Sequence, residues 1–403
     1  MAKQGSVFGA MLLISGSCIG AGMLGLPVLT GLSGFFPSFL MFFMAWLFMT
    51  VTAFLMVEIL GWFKHPANLI TMVSHTLGPI GKVLCWVLYL FLFYALLIAY
   101  MSASGNHTTI FVGSISHLSI PDWAGTLFFV ILFGWLVYLG TKPVDHLNRG
   151  LMVGKIGAYI VLVFLGLQYI TPKFLLYSQP KYALFSFPIL IISFGFHNMI
   201  PSLFHYLGED RKRLRVSIVG GSIFAFLVYL IWELIVLGVL PIEEITKGYK
   251  ADIDGAQLLR TYLGSGLLGS AAQLLAFFAI LTSFLAQSLS LVHFLRDGCK
   301  LEKKKRENIG MCMLALLPPM IISILFPQIF FHALNFAGGI CAVILFGIFP
   351  AMMAWIGRYR KNNLLEDRVP GGKKLLILVF LAAAFIFFYQ LSQMLGFHFF
   401  PIP

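Results

Sequence analysis

The sequence predicts an all-α, polytopic membrane protein of eleven transmembrane helices that form one domain over residues 1–403. Three observations predict this class. Of the 403 residues, 60% are hydrophobic and only 10% are charged, whereas soluble domains carry about 25% charged residues. Uncharged intervals recur along the whole chain, and each is long enough for the ~20 apolar residues that cross a bilayer. Basic residues are concentrated in alternate loops, as the positive-inside rule requires.

The predicted spans follow the uncharged intervals in order. Residues 4–57 suffice for spans 1 and 2, which divide at the glycines and proline of residues 31–37. Spans 3 to 8 are expected within residues 83–101, 123–141, 150–170, 182–208, 216–240 and 261–295. Residues 308–357 again hold two spans, divided near Pro327, and residues 375–397 hold span 11.

The loop charges predict a cytoplasmic N-terminus and an outer C-terminus. In this orientation all but five of the 27 lysines and arginines lie on the cytoplasmic side. The five outer ones are Lys173, Lys181, Lys247, Lys250 and Arg260. An error of one span would destroy this asymmetry. The first apolar segment is interrupted by glycines and is followed at once by a second span, so we do not expect a cleaved signal peptide.

The sequence indicates no cofactor, no metal and no nucleic-acid partner. The five cysteines are scattered, and no C-x-x-C spacing occurs. The basic run at residues 303–306 lies in a predicted cytoplasmic loop, where positive-inside topology accounts for it. No obligate protein partner is evident, and the expected surroundings are the lipid bilayer.

Spans 1 and 6 are predicted to be broken near their middle. Span 1 has four glycines between residues 16 and 25 and then Pro27, and span 6 reads SFGFHNMIP over residues 193–201. Each glycine costs a helix about 1 kcal/mol relative to alanine, and unwound backbone in lipid is tolerated only where it lines an enclosed or watery cavity. Tight glycine packing between helices is the alternative explanation.

Breaks five spans apart predict an inverted-repeat transporter with its site at the bilayer midplane. The repeats would cover about residues 5–172 and 182–357, and the helix at 375–397 would be an addition. Amides freed at a half-helix N-terminus favour an anion, and carbonyls freed at a C-terminus favour a cation. An amino acid carries both charges. The predicted substrate-binding residues at the breaks are Ser17, Gly20, Ala21, Gly22, Ser193, Phe194, Gly195 and Phe196.

The residues around both breaks resemble those of the bacterial hydroxy and aromatic amino acid permease family. The runs GSCIGAGMLGLP at residues 16–27 and SFGFH at 193–197 resemble its first-span and sixth-span motifs, and TSFL at 282–285, LPP at 317–319 and GG at 371–372 are also similar. The resemblance covers nearly the whole chain. It implies the five-plus-five inverted-repeat fold of the LeuT type (APC superfamily) in the inner membrane, and symport of an aromatic amino acid, usually with protons.

Within that family the tyrosine-specific branch is the most similar, so tyrosine is the expected substrate. A tryptophan-preferring or general aromatic permease is the alternative. By analogy with the fold, Tyr94 of span 3 is placed toward the substrate. A membrane enzyme is a remote second class, because the sequence shows no phosphate loop, nucleophile motif or cluster of carboxylates.

The predicted ion-coupling residues are His197, Thr282, Ser283 and His293. His197 lies in the span 6 break and titrates near physiological pH, although a neutral ring bonded to a freed carbonyl accounts for it as well. His293 stands where the tyrosine permeases tend to carry an acidic residue. In related folds two adjacent hydroxyls on span 8 hold sodium, and Thr282 with Ser283 offers such oxygens. Sodium coupling therefore stays open beside proton coupling.

Two intramembrane carboxylates complete the set of ionisable candidates. Glu58 is expected at the inner interface with a structural role. Glu233 is expected near the outer end of span 7, solvated at the outer mouth, and it departs from the family pattern, in which a neutral amide is more usual.

Overall fold

The computed structural model is helical throughout the residues that it describes, which are 5–63, 67–116, 120–264, 266–300, 309–361 and 368–397. The α-helices are α1 (Val7–Cys18), α2 (Gly22–Gly31), α3 (Phe35–Leu60), α4 (Leu69–Ser116), α5 (Asp122–Leu139), α6 (Thr141–Gly166), α7 (Pro172–Leu175), α8 (Phe187–Ser193), α9 (Ile200–Tyr206), α10 (Arg211–Val239), α11 (Ile242–Ala251), α12 (Gly255–Leu263), α13 (Leu267–Gly298), α14 (Ile309–Leu325), α15 (Phe330–Phe336), α16 (Phe349–Tyr359) and α17 (Gly372–Met394). Short 3₁₀ turns cover Leu167–Tyr169, Pro180–Ser186 and His197–Met199, and a π-helix over Ala337–Ile348 joins α15 to α16.

Each of the eleven predicted intervals is occupied by helix. Among the described residues, nine helices are long and apolar enough to cross a membrane, and α1 with α2 makes a tenth if the bent pair is one span. Helix α14, in the predicted ninth interval, has 17 residues and is shorter than the ~20 that a bilayer asks for. The chain is therefore a multi-pass membrane protein, and the count of eleven stays a prediction.

The helices differ in how deeply they lie in the bundle. In the most apolar window of the segment Thr141–Tyr169, which contains α6, only 17% of residues are buried, whereas the corresponding figure is 67% for α13. Large apolar side chains on α6 such as Val153, Ile160 and Phe164 are exposed, as expected of a surface that faces lipid rather than water. Helix α6 is thus peripheral, and α10 and α13 are central.

Glycines let helices approach closely around the centre. A Cβ on Gly338 of the π-helix would lie 1.8 Å from the carbonyl oxygen of Pro188 in α8. A Cβ on Gly221 of α10 would lie 2.7 Å from the carbonyl oxygen of Met11 in α1. Only glycine allows such backbone approach, and these contacts place the first halves of spans 1 and 6 against their neighbours.

The carboxylate of Glu58, for which the sequence predicts a structural role at the inner interface, is buried in an ion pair. Arg358 of α16 donates to both of its oxygens, at 2.7 and 2.6 Å, and both side chains are 1% exposed. The amide of Val369 donates to the same carboxylate at 2.8 Å, and the carbonyl of Val369 accepts from Arg358 at 3.1 Å. The pair joins α3, α16 and the segment that leads into α17.

Removing one partner of this pair is expected to destabilise the fold. In Glu58→Ala the guanidinium of Arg358 stays buried without its counter-ion, and breaking a buried pair costs about 3–5 kcal/mol. The free energy of unfolding of the purified protein in detergent measures the effect. Asp145→Asn, in the exposed pair with Arg149, is the matched control and should change stability little. Equal effects of the two substitutions would contradict a special role for the buried pair.

Candidate functional site

The predicted break in span 1 is observed. Helix α1 ends at Cys18, α2 begins at Gly22, and the two helix axes meet at 60°. Within the break the amide of Gly20 turns back to the carbonyl of Cys18 at 2.8 Å, and the helical pattern resumes only with the amide of Met23 on Gly20 at 3.2 Å. The carbonyls that end α1 and the amides that begin α2 are thereby released from regular helix bonding.

The predicted break in span 6 is also observed. Helix α8 ends at Ser193, residues 194–196 are not helical, and a 3₁₀ turn at His197–Met199 leads into α9. A Cβ on Gly195 would lie 2.8 Å from the carbonyl oxygen of Ile192. The tight turn out of α8 therefore needs glycine at this position.

Tyr229 of α10 joins the two breaks. Its hydroxyl lies 2.5 Å from the carbonyl oxygen of Cys18 and 2.8 Å from that of Ser193, the last residues of α1 and α8. One turn further, the indole of Trp232 donates to the carbonyl of Met23 at 2.9 Å. The sequence interpretation missed both residues. Their spacing of i and i+3 on a buried helix, with a polar atom on each ring, is the signal that could have indicated them.

Lys155 of α6 supplies a positive charge to the first break. Its ammonium group donates to the carbonyl of Ile19 at 2.6 Å, and the residue is 3% exposed. A cation suits this position because the C-terminal end of α1 carries partial negative charge. The sequence interpretation counted Lys155 only among the basic residues of the cytoplasmic side. Its place inside an apolar interval was the signal, since ionisable groups within spans are rare and functional by default.

The two predicted hydroxyls of span 8 have different contacts. The hydroxyl of Ser283 accepts a hydrogen bond from the amide of Ala21 at 2.9 Å, so α13 does face the span 1 break. The hydroxyl of Thr282 instead donates to the carbonyl of Ala279 in its own helix at 3.1 Å. The structure brings Ser283, Gly20 and Ala21 together, whereas the hydroxyl of Thr282 is bound within its own helix.

Ser193 and Phe194 bring the second break toward the first. The hydroxyl of Ser193 is buried without a hydrogen-bond partner among the described residues, and a Cβ on Gly22 would lie 3.5 Å from it. Phe194 is fully buried and packs edge-on against Tyr229, with 5.2 Å between ring centroids. Ser17, by contrast, is exposed on α1, and its part in binding stays a prediction.

The ring of His197 is fully buried between Phe196 and Phe346, with centroid distances of 5.2 and 4.9 Å. Its Nε2 lies 2.9 Å from the hydroxyl of Thr52 in α3, and its Nδ1 has no partner among the described residues. Two phenyl rings and one hydroxyl suit a neutral imidazole. The partner is the hydroxyl of Thr52 and not the freed carbonyl of the alternative explanation.

Two other predicted residues are not brought to the breaks. The hydroxyl of Tyr94 donates to the carbonyl of Leu314 in α14 at 2.7 Å, so its polar end is bound to span 9 rather than to a broken helix. His293 lies half-buried near the end of α13, ten residues after Ser283. Their predicted roles at the substrate and in ion coupling stay predictions.

Glu233 is buried, contrary to the expectation that solvent at the outer mouth would surround it. The residue is 0% exposed, and its Oε1 contacts the hydroxyl of Thr30 in α2. Its other oxygen has no hydrogen-bond partner among the described residues. Position along a helix gave the depth of Glu233, but only packing of α2 against α10 reveals that the carboxyl is enclosed.

A cavity of about 350 Å³ lies beside the start of α12 and is lined by Asp122, Asp252 and Asp254, among other residues. Asp254 contacts Nε2 of His107 at 2.7 Å. Asp252 caps α15 by accepting from the amides of Phe330 and Phe331 at 2.6 and 2.9 Å. Burial raises the pKa of Asp252 to about 6, although the two amide bonds act in the opposite direction. The cavity is thus lined by acidic side chains, and hydrogen bonds hold two of them in place.

The chain is similar to known transporters over nearly its whole length. The profile of the tryptophan/tyrosine permease family matches residues 3–390. A tyrosine-specific transport system (system 1) of Haemophilus influenzae is 30% identical over 384 residues, which cover 94% of each chain. A second tyrosine-specific system of that organism is 29% identical over 95% of each chain, and its tryptophan-specific transport protein is 29% identical over 98% of this chain and 97% of its own. These relatives are transporters and not enzymes, as the sequence predicts for this chain.

Alanine should distinguish the two glycines at the centre of the breaks. In Gly195→Ala the new Cβ meets backbone at 2.8 Å, so the turn must shift, at a cost of about 1–3 kcal/mol. In Gly22→Ala the nearest atom is the Ser193 hydroxyl at 3.5 Å, an ordinary contact, and stability should change little. Unfolding of the two purified variants in detergent measures the difference. Equal stability would show that the turn after α8 is not constrained as described.

Proposed function

The chain belongs to the tryptophan/tyrosine permease family, and from this membership we propose that it imports an aromatic amino acid, preferably tyrosine, across the bacterial inner membrane. The observation that carries the proposal is the meeting of two helix breaks at Tyr229, whose hydroxyl reaches the last carbonyls of α1 and α8. Freed peptide groups enclosed within a membrane bundle are the means by which such a protein can bind a zwitterion.

The substrate is proposed to lie between the two breaks. Its carboxylate would take the amides at the start of α2, where Ser283 now accepts from Ala21 at 2.9 Å, because a helix N-terminus favours an anion. Its ammonium would bind the hydroxyl of Ser193, which is buried without a partner among the described residues. Its ring would contact Phe194 and Phe196, both fully buried.

The proposed topology has eleven spans in a five-plus-five inverted repeat, with the N-terminus in the cytoplasm and the C-terminus outside. It is supported by a helix in every predicted interval, by breaks in the first and sixth of them, and by the loop charges. Spans 1, 2, 6 and 7 would rock against the remaining spans to expose the breaks to each side in turn.

Proton symport is proposed in preference to sodium symport. A sodium ion near the first break would need the free carbonyls of α1 together with hydroxyl oxygens of span 8. The carbonyl of Ile19 is already bound by the ammonium of Lys155 at 2.6 Å, and the hydroxyl of Thr282 is turned to its own helix. The protein itself thus supplies the cation that the end of α1 favours.

Import of tryptophan is the second candidate function. It rests on the tryptophan-specific relative, whose 29% identity nearly equals that of the tyrosine-specific relatives. Both substrates share the zwitterionic backbone and differ in the size and polarity of the ring, so competition between them decides the preference.

Proteoliposomes that contain the purified protein should accumulate labelled tyrosine when the outside is acidic. Unlabelled tyrosine, tryptophan and phenylalanine should compete, with tyrosine the strongest, and replacement of sodium by choline should leave uptake unchanged. Protein-free liposomes are the control. Uptake of none of the three aromatic acids would overturn the proposed function, and stronger competition by tryptophan would reverse the order of preference.

Removal of the Lys155 ammonium should strongly reduce transport under every driving condition. In Lys155→Met the carbonyl of Ile19 loses a charged hydrogen-bond donor, and such bonds contribute about 1.5–3 kcal/mol, so uptake and exchange should both fall about tenfold or more. Lys173→Met, at an exposed lysine outside the bundle core, is the matched control and should transport normally. Normal exchange by Lys155→Met would contradict a role for this cation at the break.

A further inference from the structure

We infer that Glu233 is a proton-binding site at the contact between α10 and α2, and that the proton it binds is the coupling ion of the transport. The inference rests on the proposed import of an aromatic amino acid and adds to it the residue that carries the proton. Glu233 is not among the ion-coupling residues that the sequence predicts.

A count of hydrogens at Thr30 indicates the state of Glu233. The hydroxyl of Thr30 contacts two oxygen atoms, the carbonyl of Leu26 at 2.6 Å and Oε1 of Glu233. A hydroxyl has one hydrogen to donate. If Thr30 donates it to Leu26, the contact with Glu233 needs a hydrogen from the carboxyl itself. A carboxylic acid completes the chain from Glu233 to Thr30 to Leu26, whereas a carboxylate leaves one close oxygen pair without a hydrogen.

The second oxygen of Glu233 supports the same assignment. It is buried and has no hydrogen-bond partner among the described residues. The hydroxyl of Ser38 is also near Glu233, but it lies 2.8 and 2.7 Å from the carbonyl oxygens of Thr30 and Gly34, which compete for its single hydrogen. A buried carboxylate requires several donors or a cation to offset its lost hydration, whereas the carbonyl oxygen of a neutral acid tolerates their absence at a much lower cost.

No described residue forms an ion pair with Glu233. Several ionisable residues lie on α10 or on helices packed against it, and the contacts recorded for some of them lead elsewhere: Glu58 binds Arg358, Lys155 binds the carbonyl of Ile19, Tyr159 binds the carbonyl of Val228, and Asp254 binds His107. Others include Tyr229 and, at the start of α10, Arg211, Lys212, Arg213 and Arg215; Lys142, Asp145, His146 and Arg149 on α6; Lys173 on α7; His205 and Tyr206 on α9; and Arg260 and Tyr262 on α12. Because no described residue forms an ion pair with Glu233, we infer that a bound proton neutralises its carboxylate.

This arrangement links protonation to the closing of α2 against α10. When α2 lies against α10, Glu233 is 0% exposed, and an ionised carboxylate there would be an uncompensated buried charge. Separation of the two helices would admit water and stabilise the ionised form. On closing, the carboxylate takes a proton from water to form an O–H bond. On opening to the other side, that bond breaks and the proton returns to water. Each cycle then carries one proton with the substrate.

Glu233→Gln tests the inference because glutamine keeps size and a donor but binds no proton. In proteoliposomes with the membrane potential clamped at zero, tyrosine exchange between the two sides should stay within about twofold of the unsubstituted protein. Accumulation driven by one pH unit should fall from about tenfold, the limit for one proton per substrate, to none. Tyrosine-induced proton entry, followed with a trapped pH-sensitive dye, should disappear. Glu243→Gln, at an exposed carboxylate next in the chain, should behave normally.

The outcomes separate this inference from the proposed function. If the unsubstituted protein transports tyrosine without moving protons, the function stands and the inference fails. Accumulation by Glu233→Gln at the unsubstituted level, or loss of exchange in a folded Glu233→Gln protein, would also overturn it. If Glu233→Gln does not fold, Glu233→Asp takes its place. Aspartate keeps the titratable group but shortens its reach to Thr30, so the pH profile of accumulation should shift, and an unchanged profile would count against the inference.

Discussion

A peptide group that leaves its helix inside a bilayer must find another partner, and this constraint organises the centre of the molecule. Two helices stop midway, and the groups that they release are met by side chains from three other helices: Tyr229 of α10, Lys155 of α6 and Ser283 of α13. None of these contacts depends on neighbours in sequence. The breaks can therefore persist only in the assembled bundle, and a substrate that takes over some of these partners exchanges one set of hydrogen bonds for another.

The positions of the apolar helices and of both breaks could be predicted because they depend on local composition. Charge-free intervals locate the helices, and the glycines and prolines of residues 16–27 and 193–201 locate their interruptions. The partners of the freed groups could not be predicted in the same way. Depth along a helix follows from residue counting, but the direction of a side chain depends on how neighbouring helices are rotated. For that reason Tyr94 is bound to Leu314, and Glu233, expected in solvent, is enclosed.

Four of the buried ionisable groups show three ways in which a charge is met. Glu58 and Arg358 neutralise each other, Lys155 binds the dipole end of a half-helix, and Glu233 is inferred to be neutral through a bound proton. The proton on Glu233 can leave without breaking an ion pair, while the side chain stays in place. The two groups would then have separate roles. The fixed charge of Lys155 would act in substrate binding at the break, and the removable proton on Glu233 would act in energy coupling.

The Glu58–Arg358 pair has a consequence for the helix that lies outside the two proposed repeats. Val369 lies in the segment before α17. Its amide donates to Glu58, and its carbonyl accepts from Arg358. The ion pair is thus completed by a segment of chain that follows α16. During synthesis, the ion pair between Glu58 of α3 and Arg358 of α16 would stay partly exposed to water until the segment with Val369 is made and packs against it. Docking of the segment before α17 then completes the packing of the bundle. A truncated chain that ends before Val369 would leave the Glu58–Arg358 pair between α3 and α16 without two of its hydrogen bonds.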